Sequence, residues 1–528
     1  MVGTRALALP SAFTAALAAL AFVPSIRENP AAQLACLGAA AALAVWHLGL
    51  AVAVRRHGRP LTVGVEARKQ HYLQACAQAT VFLYWGWYWP EVYRSAPLIL
   101  AQLLFAYAFD MLLAWSRRGS YTLGFGPFPV IFSINLFLWF KPDWFHLQLA
   151  MVALGFAAKE LIRWTRDGRR VHVFNPSSFA LAVFSLGLIV TGTSDLTWGR
   201  EIATTQFYPP QIYLLLFLVA LPGQFFFGVA SMTLSAVVSA WIFGLVYFWA
   251  TGIYFFYDSY IPIAVFLGMH LLFTDPSTAP RTDLGRLVFG ALYGLSTVAL
   301  YQLLGIYGMP TFYDKLLQVP LLNLSVIGID RLARSGVFQR VNPARLAARL
   351  SPSRPQLAYM FAWAAVFGGM SATGGVGDNH PGQWLPFWQQ ACEAGRPYAC
   401  PYVADRQLAF CRQGSGWACN EAGILHLMLA ESGEDLRRLD PAGAAEPLDH
   451  GCALGSGAAC QNLAALRGGG GPITRTPPTV ADYGIVLRGS KVPILDRDST
   501  KLMALACRQG WPGTCGTGAL ARGAADSQ

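Results

Sequence analysis

Eight cysteines lie after residue 390 in four pairs, and every pair follows C-x2-G-x4-C: Cys392/Cys400, Cys411/Cys419, Cys452/Cys460 and Cys507/Cys515. Gly395, Gly414, Gly455 and Gly510 each stand three residues after the first cysteine of a pair. A zinc site takes cysteines two to four residues apart and haem attachment takes C-x-x-C-H; neither pattern is here. On an unbroken helix, residues eight apart are separated by about 12 Å, beyond the roughly 7 Å between Cα atoms that a disulfide tolerates. The glycine must therefore end one helix so that a second folds back and the sulfurs meet. Evenly numbered, regularly spaced cysteines of this kind read as disulfides, Cys392–Cys400, Cys411–Cys419, Cys452–Cys460 and Cys507–Cys515, in an oxidising compartment. The other two cysteines, Cys36 and Cys76, lie in apolar stretches and read as free buried thiols.

Two further segments place proline and polar residues beside apolar runs. One is Phe174-Asn175-Pro176-Ser177-Ser178-Phe179, in which Asn175 suits a helix N-cap and Pro176 the first turn. The other is Phe273-Thr274-Asp275-Pro276-Ser277-Thr278-Ala279-Pro280. Taken alone, both are helix punctuation. Asp110 stands inside an apolar stretch, where an ionisable group is costly and often functional; it is a candidate for handling a cation or proton, or else a paired carboxylate at a helix interface. His47 and His270, in similar stretches, read as neutral core histidines. No iron–sulfur cysteine array is present, and the remaining histidines are too scattered to argue a two-histidine haem site. The run Tyr84-Trp85-Gly86-Trp87-Tyr88-Trp89 reads as an interfacial aromatic belt, or as a wall on which a flavin or quinone stacks.

The elements that must hold these residues are apolar helices. Hydrophobic residues make up 54% of the 528 and charged residues only 13%, about half the charge of a soluble domain. That excludes disorder and an ordinary soluble enzyme. The net charge of +11 does not point to nucleic acid, because residues 1–375 carry +12 and residues 376–528 carry −1. The basic excess belongs to the apolar part, as expected for cytoplasmic loops. Thirteen apolar stretches, 8–24, 32–54, 72–90, 97–115, 123–140, 146–163, 174–192, 208–227, 230–251, 259–274, 286–305, 311–329 and 357–374, read as membrane spans, most of them long enough at about 20 residues each; the first, preceded by Arg5, alternatively reads as a signal peptide. Basic residues crowd the even-numbered loops: Arg55, Arg56, Arg59, Arg68 and Lys69; Arg117 and Arg118; Arg163, Arg166, Arg169 and Arg170; Arg331, Arg334, Arg340, Arg345, Arg349 and Arg354. Those loops are predicted cytoplasmic, which puts the C-terminal region outside. The expected fold is all-α: a polytopic membrane protein of 12–13 spans with a C-terminal α/α repeat domain. Its expected parts are N-terminal spans and a cytoplasmic loop (1–70), a membrane core (71–335), a basic linker and last span (336–375) and an extracytoplasmic repeat region (376–528).

ACEAGRPYAC, FCRQGSGWACNEAGILHLMLA and HGCALGSGAACQNLAAL resemble Sel1-like repeats of the secreted, disulfide-stapled kind. That family's period lies in the middle thirties, whereas the first cysteines here are 19, 41 and 55 residues apart, so the array is irregular. GGGGPITRTPP, residues 468–478, reads as an inserted loop. Stacked repeats offer a surface to partners; the rival reading is a structural cap without one. KELIRWTRDGRRVHVFNPSSFALAV and HLLFTDPSTAPRTDLGRLVFGALYGL, about a hundred residues apart, resemble the RnfD/NqrB family of ion-motive electron-transport subunits over about residues 70–335. The resemblance implies a multi-pass subunit of the bacterial inner membrane, working with other membrane subunits and periplasmic proteins of a redox complex. It makes Asn175, Pro176, Thr274, Asp275 and Pro276 family motif positions. It also implies FMN joined by a phosphoester to a threonine in an outer loop with the pattern D-x-x-[ST]-x-A-T. The equivalent loop is 193–207, where Ala203-Thr204 matches, making Thr204 the expected site, while Glu201 and Trp198 depart from the pattern. The rival reading is a membrane-anchored interaction scaffold that keeps the fold and lacks the flavin.

Overall fold

The computed structural model describes residues 7–57, 61–335, 350, 355–431, 441–468, 471–487, 494 and 498–515. Arg59, Arg340, Arg345, Arg349 and Arg354 of the expected basic loops lie outside the described residues. The chain is mostly helical and divides into two compact units: residues 1–241 with 263–369, and residues 242–262 with 370–528.

Between residues 7 and 372 every expected span coincides with a helix. They are α1 (Ala8–Leu20), α2 (Pro30–His57), α3 (Lys69–Tyr88), α4 (Ala96–Arg118), α5 (Pro127–Phe137), α6 (Phe145–Leu161), α7 (Pro176–Thr191), α8 (Gly199–Thr205), α9 (Ile212–Phe227), α10 (Ala230–Thr251), α11 (Ile263–Leu271), α12 (Asp283–Ile306), α13 (Gln318–Ala333) and α14 (Pro355–Ala372). α8, in the loop 193–207, and the four-residue helix Glu91–Arg94 have no counterpart among the apolar stretches. Five stretches are long and apolar enough to cross a membrane: α2, α4, α10, α12 and Thr311–Ala333, which contains α13.

The helices of the core recur in order. From α3 to α7 the lengths run 20, 23, 11, 17 and 16 residues, and from α9 to α13 they run 16, 22, 9, 24 and 16. The third member of each set is short, and each short helix gives way to buried non-helical chain, the extended Leu138-Trp139-Phe140 after α5 and the turn Leu272-Phe273-Thr274 after α11. Backbone freed in an apolar interior needs partners, and buried amides supply them. Gln206 Nε2 donates to the Leu136 carbonyl (2.6 Å) and the Phe140 N–H donates to Gln148 Oε1 (2.9 Å). After α11, Gln74 Nε2 donates to the Leu271 carbonyl (3.1 Å) and Asn175 Nδ2 to the Leu272 carbonyl (3.2 Å). Close helix packing rests on small residues: a methyl group at Gly290 or Gly294 of α12 would run into the Met232 or Ala236 carbonyl of α10.

Two short sheets join loops. β1 (Thr62–Val65) pairs in parallel with β2 (Ser120–Leu123), and β3 (Arg163–Arg166) pairs antiparallel with β4 (Arg169–His172).

The second unit contains α15 (Leu385–Glu393), α16 (Ala399–Arg412), α17 (Gly416–Glu431), α18 (Ala445–Ala453), α19 (Gly457–Arg467), α20 (Val480–Val486) and α21 (Ser499–Arg508). The boundary expected at 376 thus falls at 370, and residues 242–262 join this unit. They do so through aromatic packing: Tyr257 stacks on Tyr402 at 4.4 Å, and Tyr254 packs on Phe387 at 4.9 Å. Chain identity along the sequence gave no hint of this, because an aromatic loop between spans is also ordinary interfacial sequence. Residues 471–479 carry no helix or strand except at Val480 onward, as expected of the inserted loop.

Candidate functional site

Three groups of expected site residues occupy three places. The first is the meeting of the two punctuation segments. Asn175 caps α7, its Oδ1 accepting from the Ser178 N–H (3.1 Å) and the Ser177 hydroxyl (2.7 Å), and Pro176 opens the helix. The same Asn175 side chain reaches the Leu272 carbonyl, and its own N–H donates to Asn323 Oδ1 (3.1 Å). One strand over, His172 Nε2 lies 3.4 Å from Asp275 Oδ2, while Asp275 Oδ1 accepts from the Ser277 N–H (2.9 Å). Burial opposes ionisation of Asp275, but these bonds outweigh it and hold the carboxyl below its ordinary range. Thr274 donates to the His270 carbonyl (2.7 Å), and Pro276 opens the turn that runs through Thr278.

Sequence reasoning missed the residue that ties this knot. Asp330, on α13 and 5% exposed, accepts from the N–H groups of Arg281 and Thr282 (3.0 Å each), from the Thr282 hydroxyl (2.9 Å) and from Arg166 Nη2 (2.6 Å). Arg166 also donates to the Ala279 carbonyl (2.9 Å). The signal was present: Asp330 and Asn323 are polar residues at the inner face of an apolar helix. Their spacing, however, does not announce a partner fifty residues upstream.

The second place is α8. Thr204 is exposed there, its hydroxyl donating to the Arg200 carbonyl (2.9 Å). Thr205 is buried and accepts from Trp85 Nε1 (3.0 Å). Around that bond Trp85 and Trp89 each stack on Trp139 (5.9 and 5.7 Å), and Trp198 meets Trp89 edge-on at 6.0 Å. The aromatic run therefore divides: Trp85 is fully buried and Trp87 is 76% exposed, so one helix face serves the core and the other an apolar surround. Among the described residues, no hydrogen bond or ion pair joins Thr204 to the knot around Asp275. The Thr204 hydroxyl is thus exposed, whereas that of Thr205 is buried against Trp85.

The third place is Asp110, 6% exposed on α4, whose carboxylate pairs with Lys159 Nζ on α6 at 3.0 Å. Any role in handling a cation belongs to the pair rather than to a lone carboxylate. The next residue after Lys159, Glu160, pairs with Arg118 at 2.9 Å.

In the second unit all four expected disulfides are formed, with Cα separations of 4.6, 4.6, 4.6 and 4.9 Å. Each glycine has positive φ, from +64° at Gly395 to +100° at Gly414, a left-handed conformation that glycine adopts without steric cost. The same hydrogen bond closes every turn: the N–H after the glycine returns to the carbonyl of the residue before the first cysteine, as in Arg396 to Ala391 and Ser415 to Phe410. The 19-residue first interval has a simple cause. α16 carries Cys400 at its start and Cys411 at its end, so one helix is stapled at both ends. Cys411, Cys419 and His450 come together, but the two sulfurs are bonded to each other and offer no thiolate to a metal.

His380, 1% exposed, takes its Gly382 N–H at Nδ1 (3.1 Å) and has Tyr254 and Tyr260 against its ring. Burial pushes its pKa down from 6.5 to about 3. The unfolded chain therefore binds a proton that the folded one refuses. The neutral fold is unaffected above about pH 6.5 and loses roughly 1.4 kcal/mol per pH unit from there down to the folded value. Hydrogen exchange of residues 380–391, corrected for the intrinsic pH effect, is expected to show this slope, and His380→Asn, which keeps an acceptor for Gly382, is expected to flatten it.

No protein-family model matches the chain, and no curated protein or solved structure matches it either.

Proposed function

We propose that this chain is a polytopic inner-membrane subunit of an RnfD/NqrB-like redox complex, carrying FMN on Thr204 and an extracytoplasmic repeat domain that docks a periplasmic partner. The observation that carries the reading is the meeting of the two resembling segments, a hundred residues apart in sequence, through Asn175 and Leu272 and through His172 and Asp275. The two motifs make one structural unit, as parts of a shared function do.

The loop contacts support the membrane topology. Loops predicted cytoplasmic pair with one another: β1 with β2, and Arg166 with Ala279. Loops predicted outside do the same: Lys141 with Leu196, and Asn29 with Asp143. Residues 252–262, also predicted outside, fold with the tail. Five helices long and apolar enough to cross, with exposed Leu, Val, Phe and Trp along the bundle, suit a lipid surround.

A bound flavin supplies the electron-transfer chemistry. The Thr204 oxygen would hold it, while Thr205 stays engaged by Trp85. The scaffold reading draws on one observation, that Trp198 and Glu201 stand where the attachment pattern has other residues. The deciding experiment is mass spectrometry of the protein co-expressed with a flavin transferase. One added flavin mononucleotide less water is expected, lost in Thr204→Val and retained in Thr205→Val. No adduct on the unaltered protein would favour the scaffold.

A further inference from the structure

The C-terminal end of the short helix α11 contains polar groups that nothing in the fold satisfies. His270, 2% exposed, has its Nδ1 2.6 Å from the Phe266 carbonyl. A carbonyl only accepts, so Nδ1 carries the proton and Nε2 presents a lone pair; Nε2 has no partner. Gln224 of α9, also 2% exposed, has no partner at either Oε1 or Nε2. Both side chains line one cavity with Gln74, Ala77, Ala220 and Thr274. No Asp, Glu, Lys or Arg lines it. The space is about 20 Å³, enough for a single water and too little for a larger solute.

We infer that His270 and Gln224 bind one water molecule at the broken end of α11, and that this water keeps the buried imidazole in contact with exchangeable protons. Only water matches all three open groups at that size. It donates to His270 Nε2 and to Gln224 Oε1, and its oxygen accepts from Gln224 Nε2. An anion would face a lone pair and the carbonyl end of a helix, where the backbone dipole disfavours negative charge. Ammonium has donors for two of the groups and no acceptor for the third. An apolar atom would leave all three unmet, and buried polar groups in native proteins are met by protein or by ordered water.

The placement gives the water a use. Where α11 stops, the Leu271 and Leu272 carbonyls are taken by Gln74 and Asn175, so the water is held by side chains and not consumed in capping the helix. His270 thereby keeps one ring nitrogen for the water, five residues before Asp275. The inference is independent of a flavin at Thr204 and stands or falls without it.

The test is nuclear magnetic resonance of ¹⁵N-histidine-labelled protein in lipid nanodiscs, with the His270 signals identified by their loss in His270→Phe. Expected are an unprotonated Nε2 that accepts a hydrogen bond, magnetisation transfer from water to the ring, and loss of that transfer in Gln224→Leu. Absence of transfer in the unaltered protein means a dry cavity and overturns the inference, whatever the variant does. Saturable contact with ¹⁵N-ammonium in place of water also overturns it, by assigning the site to a small cation.

Discussion

Asp330→Ala is expected to lower the stability of the membrane unit by about 3–5 kcal/mol, because it strips the partner from a buried guanidinium. The Arg166 and Asp330 side chains are 6% and 7% exposed and 2.6 Å apart. The same carboxylate ends the orphaned N–H groups of Arg281 and Thr282. Asp330→Asn keeps an oxygen for those N–H groups and Thr282, so it is expected to cost less. Removing both charges, in Arg166→Met with Asp330→Asn, is expected to recover part of the loss, since an apolar replacement of a buried pair is often close to neutral. Denaturant unfolding in detergent of the unaltered protein, Asp330→Ala, Asp330→Asn, Arg166→Met and the double variant checks this. Single losses that simply add in the double variant would show that the two side chains are not coupled.

Reduction of the disulfides is expected to unfold the repeat unit. A crosslink closing a separation of eight residues contributes about 2.5 kcal/mol by chain entropy. Four of them together reach the roughly 5–15 kcal/mol that a domain has in total. The pairs differ in what else they do. Cys411 and Cys419 are 3% and 0% exposed, so replacing both with alanine also opens space between α16 and α17, and this pair is expected to cost more than Cys392–Cys400. Thermal unfolding of the unaltered chain and the two double-alanine variants, with and without reductant, gives the order. Unchanged protease resistance of residues 376–515 in reductant would count against a stapled unit.

Where the repeat unit is concerned, little was hidden. C-x2-G-x4-C holds its own geometry, because a helix, a left-handed glycine and a disulfide are all local constraints within nine residues. Each of the four turns accordingly has the same hydrogen bond and the same bond between sulfurs. The positions of the apolar helices were equally plain, since hydropathy needs no knowledge of neighbours. Their continuity was not. The stretches 123–140 and 259–274 read as full spans, yet only 11 and 9 of their residues are helical. Non-helical chain is tolerated there because Gln148, Gln206, Gln74 and Asn175 arrive from other elements to take its hydrogen bonds.

The sequence by itself determined the helices, the staples, and which loops carry positive charge, because each follows from residues adjacent or a few turns apart. Tertiary structure decided the rest. It set Thr204 outside and Thr205 inside, although the two are neighbours of the same type, because Trp85 comes from a helix 120 residues earlier to take the second hydroxyl. It paired Asp110 with Lys159, gathered Arg166, Arg281 and Thr282 onto Asp330, and drew residues 242–262 into the repeat unit. It also left His270 and Gln224 facing one water-sized space. A buried polar group is specified by whatever partner the fold delivers to it, and that partner's distance along the chain carries no local signal.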